Sequence, residues 1–179
     1  MISFYITCFG RLHHLRETLP RNLEAAPGCE FVVVNWGSLQ SVVNEVNSLG
    51  GRVVNVAGAD WDLNTARNIG WRNCTHDIRV SLDADNWISD PSVIDWCRAE
   101  FAPENGGDTH YIHGTGTRGH HGRIAATRAA YEITGGWPEG ITPPLSDVED
   151  MLDEWRSRRY TSRRWPTGSF GVIDHPVEY

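Results

Sequence analysis

The sequence contains no lysine; all sixteen basic residues are arginine. That excludes Schiff-base catalysis and the lysine grip of a P-loop on phosphate. Cysteine is scarce as well. Cys8, Cys29, Cys74 and Cys97 are widely spaced and form no C-x-x-C pair, so neither a zinc knuckle nor a disulfide framework is supported. Buried thiols in a reducing compartment are the expectation. A basic excess is missing too: the formal charge is −7, against the pattern of a nucleic-acid binder. No run approaches the roughly 18 apolar residues of a membrane-spanning helix. The opening MISFYITCFG lacks the basic start and cleavage-type end of a signal peptide. A soluble, cytoplasmic protein without a transmembrane segment is therefore expected.

What is present suffices for a packed core. Hydrophobic residues make up 40% of 179, and that length suits one domain spanning 1–179. Ile2 to Cys8 reads as a strand. Leu12, Leu15, Leu19 and Leu23 then recur at helical spacing, with Pro20 expected to kink or end the helix. Strands follow at Phe31–Val34, Val53–Val56 and Ile78–Leu82, separated by helical stripes around 42–49 and 63–73. Pro91 opens another helix, to about Phe101. Short strands near 109–114 and 123–127 and a helix over 147–159 complete the reading. Strand and helix alternate, which predicts an α/β fold with a mainly parallel central sheet flanked by helices. In such sheets, ligands bind beyond the carboxyl ends of the strands.

One of those ends carries the stretch VSLDADNW, residues 80–87. An apolar run stops there in Asp83 and Asp85, which share a face if the backbone stays extended. A hard-cation site is one reading, with Mg²⁺ or Mn²⁺ held by one or two carboxylates and by phosphate oxygens. A simple turn is the other, since Asp and Asn commonly follow strands. An aspartyl phosphatase does not fit, because its nucleophile follows the first strand and this pair follows the fourth.

The surrounding motifs add to this reading. "CFGRLHHL" follows the first strand, "NTARNIGW" lies on the helix before the acids, and "GRIAATRAAYEITGGWPEG" and "LSDVEDMLDEWRSR" come later. This ordered set resembles the nucleotide-sugar-dependent glycosyltransferases of family 2, which have the GT-A fold, nucleotide-diphospho-sugar transferase and Rossmann-like. The resemblance implies that Asp83, Ala84 and Asp85 form the donor loop, the two acids binding Mn²⁺ or Mg²⁺ on a sugar-nucleotide diphosphate. Arg67 and Asn68 would brace the donor pocket, and Arg11 and Ser38 would lie near the nucleotide. In "SDVED", Asp150 would be the general base toward a hydroxyl acceptor, and Glu149 would position it. Ser146-x-x-Glu149 also reads as a capping box, which accounts for Glu149 but not for Asp150. Trp137, and more weakly Trp87, could face an acceptor sugar; a core position suits Trp137 equally. His175 is the position implied for a late metal-binding histidine. Side chains of the adjacent His13-His14 and His120-His121 are expected to diverge rather than clamp one metal.

The turn after the second strand departs from the family. It reads VVVNWGS, with Asn35 and Trp36 where an acidic residue that contacts the base is expected. Uridine is therefore only the leaning. The chain is also short for the family, so a small acceptor, a second copy or a partner chain would complete the acceptor side. Inverting transfer of a sugar to a hydroxyl is the implied reaction. A non-catalytic nucleotide-sugar or carbohydrate binder that kept the fold is the alternative.

Overall fold

The computed structural model describes residues 1–58, 60–114, 122–140 and 147–174. Four strands appear in the first half: β1 (Ile2–Cys8), β2 (Glu30–Trp36), β3 (Arg52–Val56) and β4 (Ile78–Asp83). The helices α1 (Leu12–Ala25), α2 (Gln40–Ser48) and α3 (Leu63–Asn73) connect them. β5 (Asn86–Ile88) and α4 (Val93–Glu100) follow, then β6 (His110–His113), β7 (Ala125–Thr127), α5 (Arg128–Thr134), α6 (Asp147–Ser157), β8 (Thr161–Arg164) and β9 (Phe170–Val172). Helix α1 does not end at Pro20 but runs five residues beyond it. Buried Leu15, Leu19 and Asn22 tie both of its halves to the body, which outweighs the missing N–H.

A seven-stranded sheet has the order β3-β2-β1-β4-β7-β6-β8, and β5 pairs with β9 separately. β1, β2, β3 and β4 are parallel neighbours, and β6 pairs parallel to β8. Only β7 runs backwards, antiparallel to both β4 and β6. The carboxyl ends of the other six strands therefore share one edge. Strand order reverses between β1 and β4, and the crevice at such a switch point is where an open α/β sheet binds ligands.

Strand parity sorts the two faces. Ile2, Phe4, Ile6, Phe31, Val33, Val80 and Leu82 pack with α1, α2 and α4. The opposite face carries Tyr5, Val32, Tyr111 and Ala126 against α3, α5 and α6. This second layer is aromatic: Trp71 stacks on Tyr131 at 5.3 Å and Trp155 on Tyr111 at 4.9 Å. Such pairs add about 0.5–1.5 kcal/mol each beyond their buried area. Within β4, Ile78, Val80 and Leu82 face the first layer, so Arg79, Ser81 and Asp83 face α3.

All four cysteines are free. Burial pushes the Cys8 thiol up to about 11 and Cys74 to about 12, which leaves no thiolate for chemistry at neutral pH. No helix among the described residues is long and apolar enough to cross a membrane.

Candidate active site

A cleft of about 560 Å³ opens at the switch point, lined by Thr7, Phe9, Arg11, His14, Trp61, Asp83 and Asp85, among others. Strand β4 stops at Asp83, and a turn rather than extended backbone carries Ala84 and Asp85. Both acids nevertheless reach the same cleft. Helix α1 holds the turn from below: Thr18 Oγ1 donates to the Ala84 carbonyl at 2.7 Å, and Asn22 Nδ2 donates to the Asn86 carbonyl at 3.0 Å. One turn apart and both buried, Thr18 and Asn22 continue the stripe of Leu15 and Leu19. Two polar residues on an otherwise apolar stripe were the available sequence signal for this anchor.

Beneath the acids lie two buried arginines. Arg67 is 3% exposed; its Nη2 donates to Asp83 Oδ1 at 3.2 Å, and its guanidinium lies 4.2 Å over the Trp137 ring. Arg123 is fully buried, donating through Nε to Asn86 Oδ1 at 2.5 Å and through Nη2 to the Gly171 carbonyl at 2.9 Å. Burial lowers its guanidinium to about 10, while Asp83 and Asp85 pull it back up. It therefore stays charged at neutral pH. The sequence reading missed Arg123. It reaches the acids because β7 runs against β4, so the approach to β7 lies beside the end of β4.

Gly122, next to it, is required for that approach. A Cβ there would fall inside contact distance of Asp83 Oδ2 and 2.8 Å from Arg67 Nη2. Gly122→Ala should displace the Asp83 carboxylate from Arg67 Nη2. Losing that contact should lower Tm by only a few degrees. The carbon-13 shift of the Asp83 carboxylate, read beside a melting curve, checks both.

The two motifs flanking this floor are one unit. Asn68 Oδ1 accepts from the Trp137 N–H and from Trp71 Nε1, both at 2.8 Å. Its Nδ2 donates to the Trp137 carbonyl at 2.8 Å and to Glu139 Oε1 at 2.6 Å. Trp137 Nε1 in turn donates to Tyr5 Oη at 3.0 Å. Gly136 makes the tight contact possible, with φ +94° and no room for a Cβ beside Asn68 Oδ1 and Trp71 Nε1. The A-R-N-x-G helix and the G-G-W-P-E turn thus clasp each other, and the clasp aims Arg67 at Asp83.

Several expected site residues lie elsewhere. Trp137 is 2% exposed, a core residue under Arg67 that offers no face to an acceptor. Its indole N–H needed a buried acceptor, and Tyr5 provides one. Asn68 is a buried brace rather than a cleft residue. Trp87 points away from the acids because its neighbours Asn86 and Ile88 are the buried face of β5. The Arg21 guanidinium caps its ring at 4.7 Å, in a separate pocket. Ser38 is exposed on a turn with Gly37, both at positive φ, and does not line the cleft. The His13 and His14 rings do not diverge but pack at 4.1 Å, and only His14 lines the cleft. Asp150 is exposed on the first turn of α6, and neighbouring Glu149 lines a second, smaller cavity. His175, His120-His121 and Ser146 lie outside the described residues.

Asn35, at the end of β2, is buried with its amide fully used. Nδ2 donates to Asn55 Oδ1 and to the Leu39 carbonyl, and Oδ1 accepts from the Leu39 N–H. Trp36 packs edge-on against Trp61 at 5.4 Å. Phe9 and Trp61, partly exposed, stack face to face at 5.1 Å on the cleft rim.

The donor set suits a hard divalent ion. Mg²⁺ and Mn²⁺ need one or two carboxylates and take phosphate oxygens and water for the rest. Asp83 has about a third of its side chain open to solvent and Asp85 shares its cleft. Among the described residues, no third His, Cys, Asp or Glu joins them.

Solved structures share this architecture. The mannosyltransferase PcManGT from Pyrobaculum calidifontis, in complex with GDP-Man and Mn²⁺, is 16% identical with a TM-score of 0.72, over 93% of this chain and 55% of that one. S. aureus TarS 1-349 with UDP-GlcNAc is 16% identical at TM-score 0.72, covering 99% of this chain and 59% of that one. Glucosyl-3-phosphoglycerate synthase from Mycobacterium tuberculosis, with Mn²⁺, UDP and phosphoglyceric acid, is 16% identical at TM-score 0.70, over 98% of this chain and 72% of that one. These likenesses concern the fold, and the chain spans little more than half the length of the first two. No curated protein matches the sequence. Residues 3–96, just over half of the 179, match the family described as glycosyl transferase family 2, and the chain belongs to that family.

Proposed function

We propose that the protein transfers a sugar from a nucleoside-diphosphate donor to a hydroxyl acceptor with inversion, residues 1–179 acting as one catalytic unit. The observation that carries this reading is the pair Asp83 and Asp85, seated over Arg67 and Arg123 in the switch-point cleft. Asp83 and Asp85 would hold Mn²⁺ or Mg²⁺, which when bound neutralises charge on the departing diphosphate. Arg11 lines the same cleft and adds a guanidinium suited to phosphate. The Phe9–Trp61 rim offers a stacking surface for the base, worth about 1–3 kcal/mol. Similar folds bind UDP and GDP conjugates, and uridine is the nucleotide proposed here.

On this reading Asp150 takes the proton from the acceptor hydroxyl as its oxygen attacks the anomeric carbon and the bond to the diphosphate breaks. Its exposure on the first turn of α6 leaves it open to an incoming acceptor. Thermal shift with UDP, GDP and their sugar conjugates, with and without Mn²⁺, tests donor binding, since a ligand at 100 times Kd stabilises by about 2.7 kcal/mol. Asp150→Asn should keep that shift and lose transfer by about 10²–10⁴-fold. Near-normal transfer would remove Asp150 from the mechanism. Binding without donor hydrolysis or transfer in the unmodified protein would make it a binder instead.

A further inference from the structure

Two strands away from the acids, the same carboxyl edge carries a second cavity. The parallel pairing of β6 and β8 sets His113 directly beside Arg164 at the ends of the two strands. Helix α6 covers them with Glu149, Leu152 and Arg156, spaced three and four apart and so on one helix face. The cavity volume is about 170 Å³, roughly six waters at about 30 Å³ each. That is room for one small charged group and its hydration, not for a nucleotide.

Among the described residues the wall carries two guanidiniums, Arg156 and Arg164, against one acid, Glu149. Arg156 holds Glu149 at 3.4 Å while also bonding Asp153 at 2.6 Å. Arg164 is exposed and makes no ion pair among the described residues. Burial first, then Arg164 and Arg156, hold the His113 imidazole below the usual histidine range, against the opposing pull of a backbone hydrogen bond at Gly114 and of Glu149. This arginine-rich wall stands out in a protein whose formal charge is −7.

We infer that this cavity is an anion subsite, gripping a carboxylate or phosphate carried by the acceptor between Arg164, Arg156 and His113. Guanidinium forks suit both groups. At about 4.8 Å per strand, β6 and β8 lie roughly 10–14 Å from β4. An acceptor anchored here therefore reaches back along the edge toward Asp83. The inference rests on the transferase reading for its purpose but not for its binding event.

Nuclear magnetic resonance of the full chain tests it, with inorganic phosphate and acetate titrated separately at constant ionic strength. Saturable shifts of the His113 ring and Arg164 side-chain signals are expected with at least one of the two anions. The anion that saturates identifies the group. Arg164→Gln, on an exposed side chain that puts no folding at risk, should weaken that binding about tenfold or more, and His113→Gln should weaken it less. UDP with Mg²⁺ should leave these shifts in place while moving signals of Phe9, Gly10 and Trp61. Linear shifts with both anions, indifference to Arg164→Gln, or displacement by UDP–Mg²⁺ would each overturn the subsite. If the subsite saturates while UDP–Mg²⁺ moves nothing at Phe9 or Trp61, the transferase reading falls and the anion site stands.

Discussion

Asp83→Asn should reduce sugar transfer by at least 10²–10³-fold. Removing one preorganised donor to a developing anion costs about 2.7–4 kcal/mol, and this substitution, which removes half of the charge that would hold the metal, should cost at least as much. The floor of the cleft amplifies the loss. Without the carboxylate, the buried guanidinium of Arg67 faces a neutral amide. Breaking a buried pair costs about 3–5 kcal/mol, less here because Asp83 remains a third wetted, so about 1–2 kcal/mol of stability should go as well. The diagnostic measurement is the Mn²⁺-dependent thermal shift with a nucleoside diphosphate. It should vanish in Asp83→Asn at temperatures where the fold is intact. Full retention of the shift and of turnover would contradict a metal held at this strand end.

Asn68→Ala should be strongly destabilising. Its amide makes four hydrogen bonds, and its loss leaves the Trp137 N–H, the Trp137 carbonyl and Trp71 Nε1 without these partners. At about 1–3 kcal/mol for each of three stranded buried groups, a total of about 3 kcal/mol or more follows, a large share of a stability of about 5–15 kcal/mol. At about 2–4 °C per kcal/mol for a chain this long, the melting temperature should fall about 10 °C or more. Asn68→Asp should do similar harm, because a carboxylate cannot donate to the Trp137 carbonyl and would meet Glu139 at the present 2.6 Å contact. Calorimetric melting of both variants checks this. A loss below about 1 kcal/mol would mean the turn stands without its clasp.

The first half of the fold was legible because each element there is long enough to carry its own pattern. Strands such as Phe31–Val34 are continuous apolar runs buried on both faces, and the helices show regular stripes. The second half gave weaker signals. Strand β8, Thr161–Arg164, is mostly exposed and has no alternating apolar face; its place comes from pairing with β6. Helix α5 spans two turns, too short for periodicity, although Thr127 caps it and Gly135 ends it in the left-handed region. At the site, the two acids were visible because charge interrupts an apolar run. Arg123 was not: one arginine among sixteen gains its meaning only from the reversed course of β7. For Trp137 the sequence left core and acceptor roles equally open, because its hydrogen-bond partner, Tyr5, lies 132 positions away.

Two carboxylates against the guanidiniums of Arg67, Arg123 and Arg11 leave the cleft no net negative charge, and that balance bears on the order of events there. A lone dication settling there would leave the pocket with surplus positive charge close to a buried guanidinium. On the proposed reading a pyrophosphate would bring the compensating negative charge with it, so ion and nucleotide would bind as mutually dependent guests, each raising the other's affinity by the same factor.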